Sequence, residues 1–225
     1  MSTLLFLTLP AWAHVPMLLP SLGNSALAGY FIGQGEISRA IFSELSESND
    51  IAFYTFSLPT KTRGAVNILT PLCEKGDPLS PQSIPYYETF QPTALLLEGS
   101  APLIETRESH ANYLSRLRSM ALQIVSSNYP SGLRPKMPKA ENEHSPFSYW
   151  VGGKSKRELP PGLYTVVVYD AQGKVGNYVL GLQQAEVWNP VITDYVKAIV
   201  PKITPHFCDP AGFSGTLHLP VERVR

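Results

Sequence analysis

Pro161-Gly162-Leu163-Tyr164-Thr165-Val166-Val167-Val168-Tyr169-Asp170 is the stretch on which the fold turns. β-Branched and aromatic residues crowd it, the composition of an extended, half-buried chain. Ala171-Gln172-Gly173-Lys174 follows as a turn, and Val175-Gly176-Asn177-Tyr178-Val179-Leu180-Gly181-Leu182 resumes the β-rich pattern. Two such runs around a glycine-containing turn predict a β-hairpin. Upstream, Phe147-Ser148-Tyr149-Trp150-Val151 is expected to pair with this region. The intervening Gly152-Gly153-Lys154-Ser155-Lys156-Arg157 has a superficially phosphate-binding look. It lacks the upstream glycine and following helix of a P-loop, and reads as a solvated hairpin turn.

Working outward, Ile51 to Leu58 is an aromatic-rich strand stopped by Pro59, and Ala65 to Thr70 and Thr93 to Glu98 make two more. Glu36 to Leu45 suits strand or helix by periodicity; the turn cluster Ser46-Glu47-Ser48-Asn49-Asp50 favours strand. Prolines and glycines break Val15 to Gly35 into extended chain and turns, and Glu74 to Gln91 reads as a loop. In Glu105 to Asn128 the pattern changes: Ala111, Leu114, Arg118, Ala121, Leu122 and Val125 recur at helical spacing, predicting a helix lying on the sheet. Tyr129 to Ser145 is a proline-rich surface loop. Near the end, Asn189-Pro190 offers an N-cap with proline at the first helical position. Val191, Ile192, Tyr195, Val196 and Ile199 then form an apolar helical face, ended by Pro201.

The expected architecture is therefore mainly β: an antiparallel β-sandwich, jelly-roll-like, with an inserted helix and a C-terminal helix. Residues 1–13 read as a signal peptide and 14–35 as an extended N-terminal segment. The sandwich would occupy 36–187, with the helical insertion at about 103–145, and 188–225 would form the C-terminal helix and tail.

Composition narrows the function. Charged residues are 16 % of the 225, below the ~25 % of an average globular chain, and 18 basic residues balance 18 acidic ones. A nucleic-acid protein needs a basic face, which zero net charge disfavours. The 21 prolines argue against a helical bundle or coiled coil.

Met1 to Ala13 contains the apolar run Leu4 to Leu9 and then Ala11-Trp12-Ala13, a small-x-small cleavage pattern; no Lys or Arg precedes Leu4. This implies a secreted or periplasmic, extracytoplasmic location; the alternative is a buried N-terminal strand. No later stretch approaches the ~20 apolar residues of a membrane span. Cys73 and Cys208 in an exported chain suggest one disulfide, worth roughly 4–5 kcal/mol in the chain-entropy model; two buried thiols are the alternative.

Three pieces together resemble the bacterial pre-peptidase C-terminal-like β-sandwich and its secreted relatives. Asp50-Ile51-Ala52-Phe53-Tyr54-Thr55-Phe56-Ser57-Leu58 is similar to the D-x-x-Y-x-F-x-L strand of those domains. Leu159-Pro160-Pro161-Gly162-Leu163-Tyr164-Thr165-Val166-Val167-Val168 is similar to their L-P-x-G-x-Y-x-V-x-V, and Gly176-Asn177-Tyr178-Val179-Leu180 to their closing G-N-Y-x-L. The region spanned is about Glu36 to Leu182, and the insertion from Leu103 to Ser145 departs from the pattern. Such domains are accessory modules of secreted enzymes, so the resemblance implies a sandwich and no activity.

No C-x-x-C, G-x-S-x-G, Walker or dinucleotide motif occurs, and none of His14, His110, His144, His206 and His218 is spaced HxH or HxxxH. No cofactor is expected. If cleavage follows Ala13, His14 becomes the mature N-terminus, whose amine and imidazole suit Cu(II), with His110 or His144 as a further ligand. A hydrolase assembled from distant residues is a third reading. Asp50, Asp77 and Asp170 lie in turns, as Ca²⁺ ligands or as ordinary turn caps. Tyr86, Tyr87, Tyr149, Trp150 and Trp188 lie in or beside loops, as core packing or as a surface for a protein or carbohydrate ligand. The first reading is a non-catalytic binding or interaction module.

Overall fold

The computed structural model describes residues 15–19, 26–27, 29–34, 38–72, 90–126, 148–183 and 198. Two five-stranded sheets face each other. Sheet A has the order β1 (Val15–Leu18), β3 (Arg39–Leu45), β10 (Gly176–Gln183), β5 (Thr62–Leu72), β8 (Ser148–Leu159). Sheet B has the order β2 (Tyr30–Gln34), β4 (Ile51–Leu58), β9 (Gly162–Asp170), β6 (Pro92–Glu98), β7 (Gln123–Ser126). Pairing is antiparallel except at one margin, where β1 runs parallel to β3 and β2 parallel to β4. This is the expected sandwich, and the stretch from Pro161 to Leu182 supplies the central strand of each sheet.

Those two strands do not form a hairpin. β9 pairs with β4 and β6, whereas β10 pairs with β3 and β5. The five-residue connection Ala171–Val175 arches from one sheet to the other. Burial gives the reason: from Tyr164 to Asp170 every residue is buried, so β9 must be covered on both faces. A turn to an adjacent in-sheet partner covers neither. The arch is built by Asp170, only 3 % exposed, whose carboxylate accepts from the backbone N–H groups of Gln91 (2.7 Å), Gln172 (2.8 Å) and Lys174 (3.1 Å). Gly173 sits at φ +67°, where a side chain would be strained.

The same alternation holds along the chain: among the described strands each successive one changes sheet, except from β6 to β7. β8 accordingly pairs with β5, not with β9 or β10. Gly152 to Arg157 lies within β8 rather than in a hairpin turn. Val151 pairs with Leu69 and Lys154 with Asn67, so the two glycines mark a shift of register, the usual place of a bulge.

Between the sheets lies the main core. Ile41 and Leu45 of β3, Val66 and Ile68 of β5, and Leu180 and Leu182 of β10 meet Tyr54, Phe56, Leu96, Tyr164, Val166 and Val168 of sheet B. Tyr54 and Tyr178 share a buried hydroxyl contact of 2.6 Å across the two sheets. Burial holds both phenols well above the ordinary tyrosine range, so both remain neutral hydrogen-bonding groups.

The predicted helix is shorter than its periodicity. α1 runs His110–Met120, capped by Ser109, whose hydroxyl accepts from the Asn112 N–H at 3.2 Å. Its buried residues are Tyr113, Leu114 and Leu117; Ala111 and Arg118 are exposed. Ala121 and Leu122 leave the helix, and Val125 belongs to β7. The open edge of β6 decides this: the Leu122 N–H donates to the Leu96 carbonyl at 2.8 Å, and Leu95 and Ala94 pair with Ile124 and Val125. Local periodicity yields to ladder hydrogen bonds that bury Val125 in the core.

Candidate functional site

Sheet B has an outer face, turned away from sheet A, and α1 covers part of it. Phe53, Leu95, Leu97, Val167 and Tyr169 pack there against Tyr113, Leu114 and Leu117. Three polar anchors fix the helix. The Tyr113 hydroxyl donates to the Pro102 carbonyl at 2.6 Å. Arg118 donates to the Tyr169 hydroxyl at 2.9 Å. Arg116 donates through Nε to Glu108 at 2.9 Å and through Nη2 to the Leu103 carbonyl at 2.8 Å, with its guanidinium 5.3 Å from the Tyr113 ring centroid. The Arg116 hydrogen bond, with help from the Glu105 N–H, holds the Glu108 carboxyl below the usual carboxylate range.

Beyond the helix the same face is open. Thr55 pairs in register with Phe31 on one side and Thr165 on the other, and Ser57 pairs with Leu163. Phe31 lies between Tyr30 and Ile32, both packed on the inner core, so alternation sends its ring outward, where it is 65 % exposed. Leu163 is 38 % exposed. The Gly99 N–H donates to the Leu163 carbonyl at 2.7 Å, tying the loop before α1 to this end of the sheet. That loop carries Leu103 and Ile104, 49 % and 55 % exposed. The threonine hydroxyls between them are engaged with each other (3.2 Å), and Thr165 also donates to the Gly99 carbonyl (2.7 Å). The result is a shelf of exposed apolar side chains, Phe31 and Leu163 on strands and Leu103 and Ile104 on the tied loop, with the hydroxyls of Thr55 and Thr165 already used.

None of these shelf residues stood out in the sequence. A weak signal for Phe31 was its place between two aromatic or aliphatic neighbours, which puts one of the three on the opposite face. Of the residues that did stand out, His110 is the first residue of α1, and its Nε2 is buried without a hydrogen-bond partner. His14, His144, Asp77, Cys73, Cys208, Tyr86, Tyr87 and Trp188 lie outside the described residues. Tyr149 and Trp150 are in β8 opposite Pro71 and Thr70; only their backbone is described. Asp50 caps its turn, its carboxylate accepting from Ser46 N–H (2.7 Å) and Glu47 N–H (2.8 Å), as Asp170 caps the arch. Among the described residues no three His, Cys, Asp or Glu side chains converge as metal ligands would.

No known family model matches the chain, and no curated protein matches it. Solved structures resemble it at low identity. The pre-peptidase C-terminal domain of a collagenase from Bacillus anthracis is 14 % identical, with a TM-score of 0.38 over 68 % of this chain and 93 % of that domain. PliG of Aeromonas hydrophila, a periplasmic inhibitor of g-type lysozyme, is 12 % identical, with a TM-score of 0.31 over 76 % of this chain and 98 % of that one. PliG of Salmonella Typhimurium is 13 % identical, with a TM-score of 0.29 over 69 % and 97 %.

Proposed function

We propose that the protein is an exported, non-catalytic binding module whose partner is another protein, engaged through the shelf of Phe31, Leu163, Leu103 and Ile104. The observation that carries this reading is the exposure of those four side chains, two on the part of the outer face of sheet B that α1 leaves open and two on the loop that Gly99 ties to it. Single exposed apolar residues are ordinary, but a cluster on rigid backbone is the feature that marks interaction surfaces. A carbohydrate would need free hydroxyl and amide partners around the aromatic ring. Here the hydroxyls in register beside Phe31, on Thr55 and Thr165, are bonded to each other, and that of Thr165 also to the Gly99 carbonyl. The signal-like start, Met1 to Ala13, supports an extracytoplasmic setting.

The test is capture of a partner from the extracytoplasmic fraction of the producing cells, then measurement of its affinity in purified form. Wild type should bind it, and Phe31→Ser combined with Ile104→Ser should weaken binding at least tenfold while leaving the melting temperature in place. Equal affinity of the double variant, or binding to glycans in place of protein, overturns the reading.

A further inference from the structure

The loop between β6 and α1 contains a turn with an unexpected residue in it. The Glu108 N–H donates to the Glu105 carbonyl at 2.9 Å, so Thr106 and Arg107 form the corners. Arg107 stands at φ +74° in the third position of the turn, where glycine or asparagine is the ordinary occupant. The turn before β4 makes the comparison. There the Asp50 N–H donates to the Glu47 carbonyl at 3.1 Å, and the third position, at φ +71°, holds Asn49. Asparagine tolerates this conformation through its short polar side chain; arginine has no such compensation. A strained residue persists only where its surroundings hold it, and such residues gather at binding sites.

The surroundings do hold it. The Glu105 N–H donates to the Glu108 carboxylate at 3.0 Å, which closes the turn a second time. Arg116 bonds that carboxylate and the Leu103 carbonyl, and its guanidinium lies 3.7 Å from the Glu105 carboxylate. Both acidic side chains of the turn are therefore engaged by Arg116. Arg107 is exposed, and among the described residues no carboxylate pairs with it. Glu98 does not answer it either. Leu96 faces the inner core and Leu97 the outer face, so Glu98 alternates to the inner side, in register with Tyr164. Arg107 follows Ile104 by three residues, on the same tied loop as two members of the shelf.

We propose that Arg107 binds a carboxylate of the protein partner, so that the segment seated on the shelf has Asp or Glu flanking its apolar contact; this rests on the shelf being the binding surface. A guanidinium offers paired N–H donors that fit a carboxylate bidentately, and it keeps its charge across the physiological range. A charge at the rim of an apolar patch selects among partners and speeds encounter more than it adds affinity. Glycine at 107 would relax the turn, so strain is tolerated here in exchange for the guanidinium.

The experiment pans a phage-displayed library of random peptides on the full wild-type chain and measures the enriched sequences as synthetic peptides. They should pair an apolar residue with Asp or Glu. Arg107→Gly should weaken their binding about fivefold, the scale of an exposed ion pair, with Arg107→Lys in between. Changing the peptide's acidic residue to its amide should weaken wild type by the same factor and add nothing to Arg107→Gly. The difference should shrink in ~1 M salt. Arg107→Gly should not lower the melting temperature; a clear drop makes the arginine a folding residue and overturns the proposal. Phe31→Ser with Ile104→Ser separates the two readings. Peptides lost by that variant but kept by Arg107→Gly leave the shelf standing and overturn the role of Arg107. Peptides indifferent to both variants, or no enriched peptide, overturn both.

Discussion

The outer face of sheet B has two halves that differ in what lies over them. In one, Phe53, Leu95, Val167 and Tyr169 are roofed by α1; in the other, Phe31, Thr55, Ser57 and Leu163 are not. Both halves run along β4 and β9 and share the same alternation. The difference teaches that a strand pattern specifies which side chains share a face, while burial of that face depends on where a separate element lands. Here the landing is set by three anchors: Tyr113 on Pro102, Arg116 on Glu108 and Leu103, and Arg118 on Tyr169.

The comparison breaks most sharply at Leu117, which is fully buried between helix and sheet. Leu117→Ala should cost about 3 kcal/mol, as cavity-forming substitutions do, and chemical denaturation will show it as a lower midpoint. Tyr113→Phe keeps the ring and removes the bond to Pro102. A loss of about 1 kcal/mol is expected by the same measurement.

Glu108→Gln acts through pH. Its carboxyl is lowered chiefly by Arg116, so its contribution is complete above the ordinary glutamate range near ~4.3 and is lost as pH falls through the lower folded value. Thermal melts from about pH 6 down to about pH 2 should therefore fall less steeply at the acid end in the variant than in wild type. At the open end, Phe31→Ser should change stability by less than about 0.5 kcal/mol, since the ring is mostly in water already. A large loss there would mean that Phe31 is a packing residue and that the two halves do not differ as described.

Strand positions were largely legible. Ile51 to Leu58 matches β4 at both ends, and Thr93 to Glu98 misses only the first residue of β6. Proline, glycine and turn clusters mark where a ladder stops, and those are local properties. Helix length was less legible, because Ala121, Leu122 and Val125 continue the helical spacing and only the free edge of β6 draws them away. The shelf was not legible at all. Phe31, Leu103 and Ile104 come from an edge strand and a loop far apart in sequence, and Leu163 sits inside the strongest strand signal with nothing to distinguish it from Val167. One is exposed and the other buried because α1 covers Val167 and stops short of Leu163.

Partner choice among strands was decided in three dimensions. Nearly every connection carries the chain across the sandwich, so neighbours in a sheet come from distant parts of the sequence: β3 with β10, β4 with β9, β5 with β8. Such non-local pairing makes folding slow, since long loops must close before the ladders reward them. By itself the sequence determined that the chain is a sandwich, where most of its strands begin and end, and that Asp50 and Asp170 border turns. Composition and turn chemistry act over a few residues, so one chain segment suffices to read them. Only the tertiary structure decided that the apparent hairpin is an arch, which faces are roofed and which apolar side chains face water. Those depend on burying β9 from both sides at once, a condition that no single segment can satisfy.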